Sequence, residues 1–291
     1  MISAYKGGFD MRKLCLLLAF FLLLTACASP AKTQNGPLVA ATTRPVAEMA
    51  AAITDGTNIT VERVIGESVS CLHDYSLSVR QMELLADADV VLLSGAGLED
   101  FMADALTDAK TVVDTSRGIS LNLEGDEPDP HIWLDPQRAK QMAQNIADAL
   151  TLQYPQYAAQ LEQNRAALAL QFDEIYEYGN AQLADLPTRN LVTFHDGFGY
   201  FAEAFGLTVL AAMEEEAGSE LAAKDLAAII ELTAENNVPA VFTEQNGSDG
   251  AAKIVAAETG CAVFTLDTGL GDTPYLDALR HNIDTVREAL S

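Results

Sequence analysis

Short apolar runs rich in β-branched residues recur along this 291-residue chain, and stretches with helical spacing of apolar side chains lie between them. That alternation constrains the fold more than any other feature, because strand–helix–strand units built this way close right-handed and give parallel sheets covered by helices. In the first half the strand-like runs are Leu38–Thr42, Ile59–Ile65, Val90–Leu93 and Thr111–Val113, and the helical stretches are Val46–Ile53, Val79–Ala86 and Leu98–Ala109. The second half repeats the style, with strands at Leu191–Phe194, Thr208–Ala211, Ala240–Thr243 and Ala262–Leu266. Its helical stretches are Phe198–Phe205, Ala222–Asn236, Gly250–Thr259 and Pro274–Leu290.

Between the halves, Tyr157–Leu183 holds no proline and no glycine before Gly179, and Leu161, Leu168 and Ile175 recur every seven residues with Phe172 and Tyr176 near the same stripe. A helix of about 27 residues is roughly 40 Å long, enough to run the span of a two-lobed molecule. The expected architecture is therefore α/β, with two lobes of parallel sheets flanked by helices and joined by a single long backbone helix. The boundaries read as a lobe over 38–150, the linking helix over 151–185 and a second lobe over 186–291.

The N-terminus sets an address. Met11-Arg12-Lys13 is a short basic start, and Leu14–Leu24 is almost wholly apolar. About eleven residues are too few to cross a bilayer, which needs about 20, but they suit the core of a signal peptide. The stretch ends in Leu24-Thr25-Ala26-Cys27, which resembles the bacterial lipobox. Residues 1–26 then read as a lipoprotein signal peptide, Cys27 as the lipidated first residue of the mature chain, and 27–37 as a tether. Translation starting at Met11 fits as well as a start at Met1. The expected location is extracytoplasmic, anchored to the cell membrane without spanning it.

Lys and Arg total 17 against 42 Asp and Glu, a formal charge of -25, and such a surface repels nucleic-acid phosphates and anionic lipid alike. The chain has four histidines. His73 follows the strand Ile59–Ile65, His195 follows Leu191–Phe194, and Asp267 follows Ala262–Leu266. Ligands of open parallel sheets bind beyond the carboxyl ends of the strands, so these three arrive at one edge. His131 lies in Pro130-His131-Ile132-Trp133-Leu134-Asp135-Pro136, just before a helix. Three imidazoles and one carboxylate make a four-coordinate set suited to Zn2+. Asp74, Asp196 and Glu244 are candidates to hold the imidazoles from behind, while His281 reads as structural or solvent-facing. Ser94-Gly95-Ala96-Gly97-Leu98-Glu99-Asp100 approaches a dinucleotide fingerprint, but Asp100 replaces its third glycine and two acids in the first turn repel a pyrophosphate, so it reads as helix capping.

With these pieces the sequence resembles the cluster A-I substrate-binding lipoproteins of bacterial ABC metal importers (solute-binding protein family 9), in particular the zinc-binding group. The resemblance runs along the mature chain through Leu72-His73-Asp74-Tyr75, Asp89–Glu99, Asp129–Pro136, Phe194-His195-Asp196-Gly197-Phe198-Gly199-Tyr200-Phe201 and Val241-Phe242-Thr243-Glu244. It implies that His73, His131, His195 and Asp267 hold the metal, that the partners are an ABC permease and its ATPase, and that a monomer captures and delivers an ion without chemistry. Retention is expected to fall as pH drops through the ordinary imidazole range near about 6.5.

Departures from the family pattern bear on metal choice. Tyr75-Ser76-Leu77 stands where Tyr-Glu-Pro is usual, and the short acidic Leu123–Asp129 stands where zinc members often carry a His-rich loop. Manganese members typically have Glu at the position of His195, so ligand softness favours Zn2+, with Mn2+ as the alternative. Cys71 and Cys261 are the other cysteines of the mature chain, compatible with a disulfide or with a free Cys71 thiol near the ligands. A metallohydrolase using Glu244 as base lacks a His-Glu-x-x-His or Gly-x-Ser-x-Gly motif. An adhesin with the metal as a structural bolt is the third reading.

Overall fold

β1 (Leu38–Ala41) is buried at every position, as a central strand of a parallel sheet covered on both faces must be. It pairs in parallel with β2 (Thr60–Arg63) on one side and β3 (Val90–Leu93) on the other, and β4 (Val112–Asp114) extends the sheet beyond β3, giving the order β2-β1-β3-β4. The computed structural model describes residues 36–66, 75–125, 127–214, 221–245 and 247–291. The expected signal peptide, Cys27, Cys71, His73 and Asp74 lie outside them.

In the second half, β7 (Asn190–His195) pairs in parallel with β8 (Thr208–Glu214), and β9 (Ala240–Glu244) with β10 (Ala262–Leu266), while β7 also contacts β9. A small antiparallel pair, β5 (Leu123–Glu124) with β6 (Glu127–Pro128), follows β4 within the first half of the sequence. Helices α1 (Arg44–Thr54), α2 (Val79–Asp87), α4 (Pro136–Gln153), α6 (Gly199–Phe205), α7 (Ala223–Glu235), α8 (Gly250–Thr259) and α9 (Tyr275–Leu290) complete the α/β architecture. No helix among the described residues is long and apolar enough to cross a membrane.

The long helix α5 spans Ala158–Gln182 and packs on α1 and α4 from the first half and on α9 and α6 from the second. Leu161, Leu168, Phe172 and Ile175 are buried along it, so the seven-residue recurrence marks its inner face. Tyr176 is half-buried and stacks on Phe205, with ring centroids 6.0 Å apart. Gly179 lets the two helices meet: a Cβ there would lie 2.3 Å from the Phe205 ring. One apolar core runs from Leu38 to Leu290 and includes Trp133, Phe172 and Tyr275, and a second lies where β7, β8 and β9 meet α7 and α8.

One expected helix is much shorter. The sequence predicts Leu98–Ala109, whereas the chain makes a single 3-10 turn over Asp100–Met102 and then α3 (Ala103–Leu106). Gly95, Ala96 and Gly97 all take positive φ, and at Gly95 a Cβ would collide with Asp114, so the chain coils before any helix can start. Nor does Glu99 act as a helix cap. It is buried and folds back over the sheet edge, its Oε1 accepting from the Ser94 N–H at 2.7 Å and the Thr42 hydroxyl at 2.6 Å, its Oε2 from the Gly95 N–H at 3.0 Å. Burial raises its pKa to about 7 against the pull of these donors, and the charge of Asp114 adds to the rise.

Candidate metal centre

Parallel strands deliver their carboxyl ends to one edge, and the last residue of β7 is His195. His131 reaches the same place by a different route. It follows β6 and precedes a 3-10 turn, Ile132–Leu134, whose three side chains are buried and which leads into α4. Asp135 caps α4, accepting from the Gln137 N–H at 2.8 Å, and Pro136 opens its first turn, so the Asp-Pro pair stops the preceding turn where it does. Trp133, wholly buried, donates its indole N–H to the Thr268 carbonyl at 2.7 Å.

The two imidazoles meet across 64 residues of sequence. His131 Nε2 and His195 Nε2 are 3.2 Å apart, and both side chains are buried. Behind each ring stands a carboxylate: Asp129 Oδ1 lies 2.9 Å from His131 Nδ1, and Glu244 Oε1, at the end of β9, contacts His195 Nδ1. A carboxylate accepts and does not donate, so each Nδ1 carries the hydrogen and each Nε2 presents a lone pair. Two lone pairs facing each other in a buried site repel unless a cation lies between them. Two nitrogens bound at zinc distance in a tetrahedron are about 3.3 Å apart, close to the separation observed.

Asp267 follows β10 and is buried. The Asn282 side chain holds its backbone on both sides, at 2.8 and 2.7 Å, and its Oδ1 accepts from the Gly269 N–H at 2.8 Å. Its Oδ2 is buried without a hydrogen-bond partner among the described residues, as is Glu244 Oε2. A buried carboxylate oxygen left so costs several kcal/mol in order of magnitude, a cost that a cation removes. The structure brings His131 and His195 together. Among the described residues, no three His, Cys, Asp or Glu side chains converge closely enough to hold an ion, so Asp267 does not close on the two imidazoles there.

Glu244 stands behind His195 as expected. Asp196 holds neither imidazole among the described residues; its side chain reaches solvent, yet the surrounding protein strips away enough water to raise its pKa, and the charge of Asp129 raises it further. Asp129 is the residue that sequence reasoning missed. Its position two before His131 lets one oxygen accept from both the His131 N–H and Nδ1, each at 2.9 Å. The Asp-x-His spacing was the available signal. Tyr200 donates its hydroxyl to the Asp129 carbonyl at 2.9 Å, and the Arg138 guanidinium lies 4.7 Å over its ring, so α6 braces the turn.

Cys261 is a free thiol among the described residues, and Cys71, the other half of the bridge considered above, lies outside them. Cys261 precedes the first residue of β10, and at about 3.3 Å per residue the strand carries it roughly 20 Å from the edge where Asp267 sits. His281 is exposed, with Nε2 3.2 Å from the Thr265 carbonyl, in keeping with a structural role.

Residues 39–289 match the family described as "ZnuA: Zinc-uptake complex component A periplasmic". The zinc-binding protein TroA of Treponema pallidum is 28% identical over 282 residues, covering 90% of this chain and 91% of TroA. The manganese-binding lipoprotein MntA of Halalkalibacterium halodurans is 28% identical over 232 residues, 75% of this chain and 77% of MntA. The crystal structure of ZnuA superposes with a TM-score of 0.80 at 26% identity, covering 88% of this chain and 100% of that one.

Proposed function

The chain belongs to the zinc-uptake complex component A family and is an extracytoplasmic binding component of a metal importer, not an enzyme; from that premise we propose that its cargo is a single Zn2+ ion. The observation that carries this is the 3.2 Å approach of two buried Nε2 atoms, each backed by a carboxylate. Two imidazoles suit zinc better than manganese, which prefers carboxylate and carbonyl oxygens. His73 supplies the third imidazole. Asp267 supplies the fourth ligand through Oδ2 once the segment that carries it closes on the ion. Asp129 and Glu244 set the tautomers and raise the basicity of the rings.

Capture needs both Nε2 atoms unprotonated, so retention falls in acid. Delivery follows docking on the ABC permease, whose ATPase powers uptake, when movement at the Asp267 segment loosens one ligand. The lobes 38–150 and 186–291 work as a monomer about the helix 151–185, held at the membrane by lipid on Cys27. Such an arrangement confines the ion near the permease without a protein span.

The test offers metal-stripped protein equimolar Zn2+ and Mn2+ near neutral pH and counts the metal retained after desalting, with His195→Ala and Asp267→Ala alongside. One zinc per chain, weakened in both variants, is the expected result. Retained manganese moves the cargo to that metal, and no retained metal refutes the site.

A further inference from the structure

Asp267 begins the segment Asp267-Thr268-Gly269-Leu270-Gly271-Asp272-Thr273-Pro274, which joins β10 to α9 and contains two glycines. Asn282 fixes the backbone of Asp267 itself, but glycine adds backbone freedom, so the rest of the segment is not held by its own composition. It is gripped from the other half of the molecule. Arg44, the first residue of α1, donates from Nε to the Gly271 carbonyl at 2.5 Å and from Nη1 to Glu48 Oε1 at 2.9 Å. Glu48 Oε2 accepts from the Tyr275 N–H at 2.7 Å. Tyr275 is the first residue of α9, so this carboxylate sits at a helix N-terminus, where the dipole favours it. The Arg44 side chain is 16% exposed and that of Glu48 37%, so the pair is screened in part by solvent.

We infer that Arg44 and Glu48 are positioning residues for Asp267: the pair latches the segment from Asp267 to Tyr275 onto α1 and thereby sets how slowly the bound ion leaves. The latch rests on Asp267 being a ligand, as proposed above. His131 comes from the first half and Asp267 from the second, so an ion held by both is released when these parts separate. Arg44 and Glu48 supply charged polar contacts across that division at Gly271 and Tyr275, beside the neutral one that Trp133 makes at Thr268. Losing them frees the glycine-containing segment to swing, which speeds departure of the ion and leaves its diffusional arrival nearly unchanged.

The experiment uses the full chain loaded with Zn2+, mixed with excess chelator, and follows zinc release with time. Arg44→Ala is expected to release zinc about tenfold faster at an unchanged stoichiometry, the scale of one charge-assisted hydrogen bond. Glu48→Gln, which keeps an acceptor for the Tyr275 N–H, is expected to release it a few-fold faster, and it carries the test if Arg44→Ala does not fold. Amide exchange across Thr268–Asp272 rises in both variants, whereas β1 and β3 keep theirs. In an Asp267→Ala background the Arg44→Ala substitution adds no further acceleration, because the two act through one ligand. Release within twofold of wild type, unchanged exchange in the segment, or equal acceleration in the Asp267→Ala background overturns the latch. Asp267→Ala that releases zinc at the wild-type rate overturns the ligand assignment and the latch with it. A protein that retains no zinc overturns the reading of the site.

Discussion

Replacing Glu99 by Gln tests whether a carboxylate folded back over the edge of the first sheet is held there against its own charge. Burial raises its pKa from 4.5 to about 7, even though the Thr42 hydroxyl and the Ser94 and Gly95 amides all donate to it. The folded state therefore binds this proton more tightly than the unfolded chain. The contribution of Glu99 to stability is complete below about pH 4.5 and is lost as pH rises through about 7. At 1.36 kcal/mol per unit the loss is on the order of 3 kcal/mol. Gln cannot titrate, and its amide nitrogen meets the Gly95 N–H where an acceptor stood, which costs about 1–3 kcal/mol at any pH. The stability difference between wild type and Glu99→Gln should thus shrink by about 3 kcal/mol between pH 4.5 and 7.5. Urea unfolding midpoints measured across that window supply the assay, with chelator present so that metal binding to the imidazoles does not titrate alongside. Taking the difference of the two proteins cancels the groups that are not coupled to Glu99. Two stability curves that stay parallel over the window would refute the reasoning.

Gly179→Ala should destabilise. The gain in helix propensity is at most about 1 kcal/mol, while forcing a Cβ to within 2.3 Å of the Phe205 ring costs about 1–3 kcal/mol, and Phe205→Leu should relieve much of it in a thermal-melt comparison. Glu244→Gln should lower zinc affinity about 10–100-fold in chelator competition, because the His195 Nδ1 hydrogen loses its carboxylate; Asp129→Asn should do the same through His131. Trp133→Phe removes the donor to the Thr268 carbonyl and should cost about 1–3 kcal/mol in urea unfolding, with an unchanged midpoint counting against the bond.

The α/β class, the long helix and the places of His195 and Asp267 were all legible from local pattern. Strand runs and a seven-residue stripe are encoded in neighbouring residues, and a ligand one position past a strand needs only the rule that parallel sheets bind at their carboxyl ends. Glu244 stood among the carboxylates considered for a place behind an imidazole, and at the end of β9 it meets His195. Asp129 was overlooked because its role depends on a backbone turn that brings its carboxylate onto a ring two residues later. The helix expected from Leu98 failed because three consecutive positive φ angles and an inward-turned Glu99 outweigh the helical spacing of Leu98–Ala109.

By itself, then, the sequence determined most of the strands and helices and put His195 and Asp267 at the carboxyl ends of strands, since both depend on short-range periodicity and strand direction. Only the tertiary structure decided that His131 and His195, 64 positions apart, face each other at 3.2 Å with a carboxylate behind each ring. It alone joined Arg44 to Gly271 across 227 positions. Contacts of that kind are set by how two packed layers meet around α5, and no local run of residues encodes that meeting.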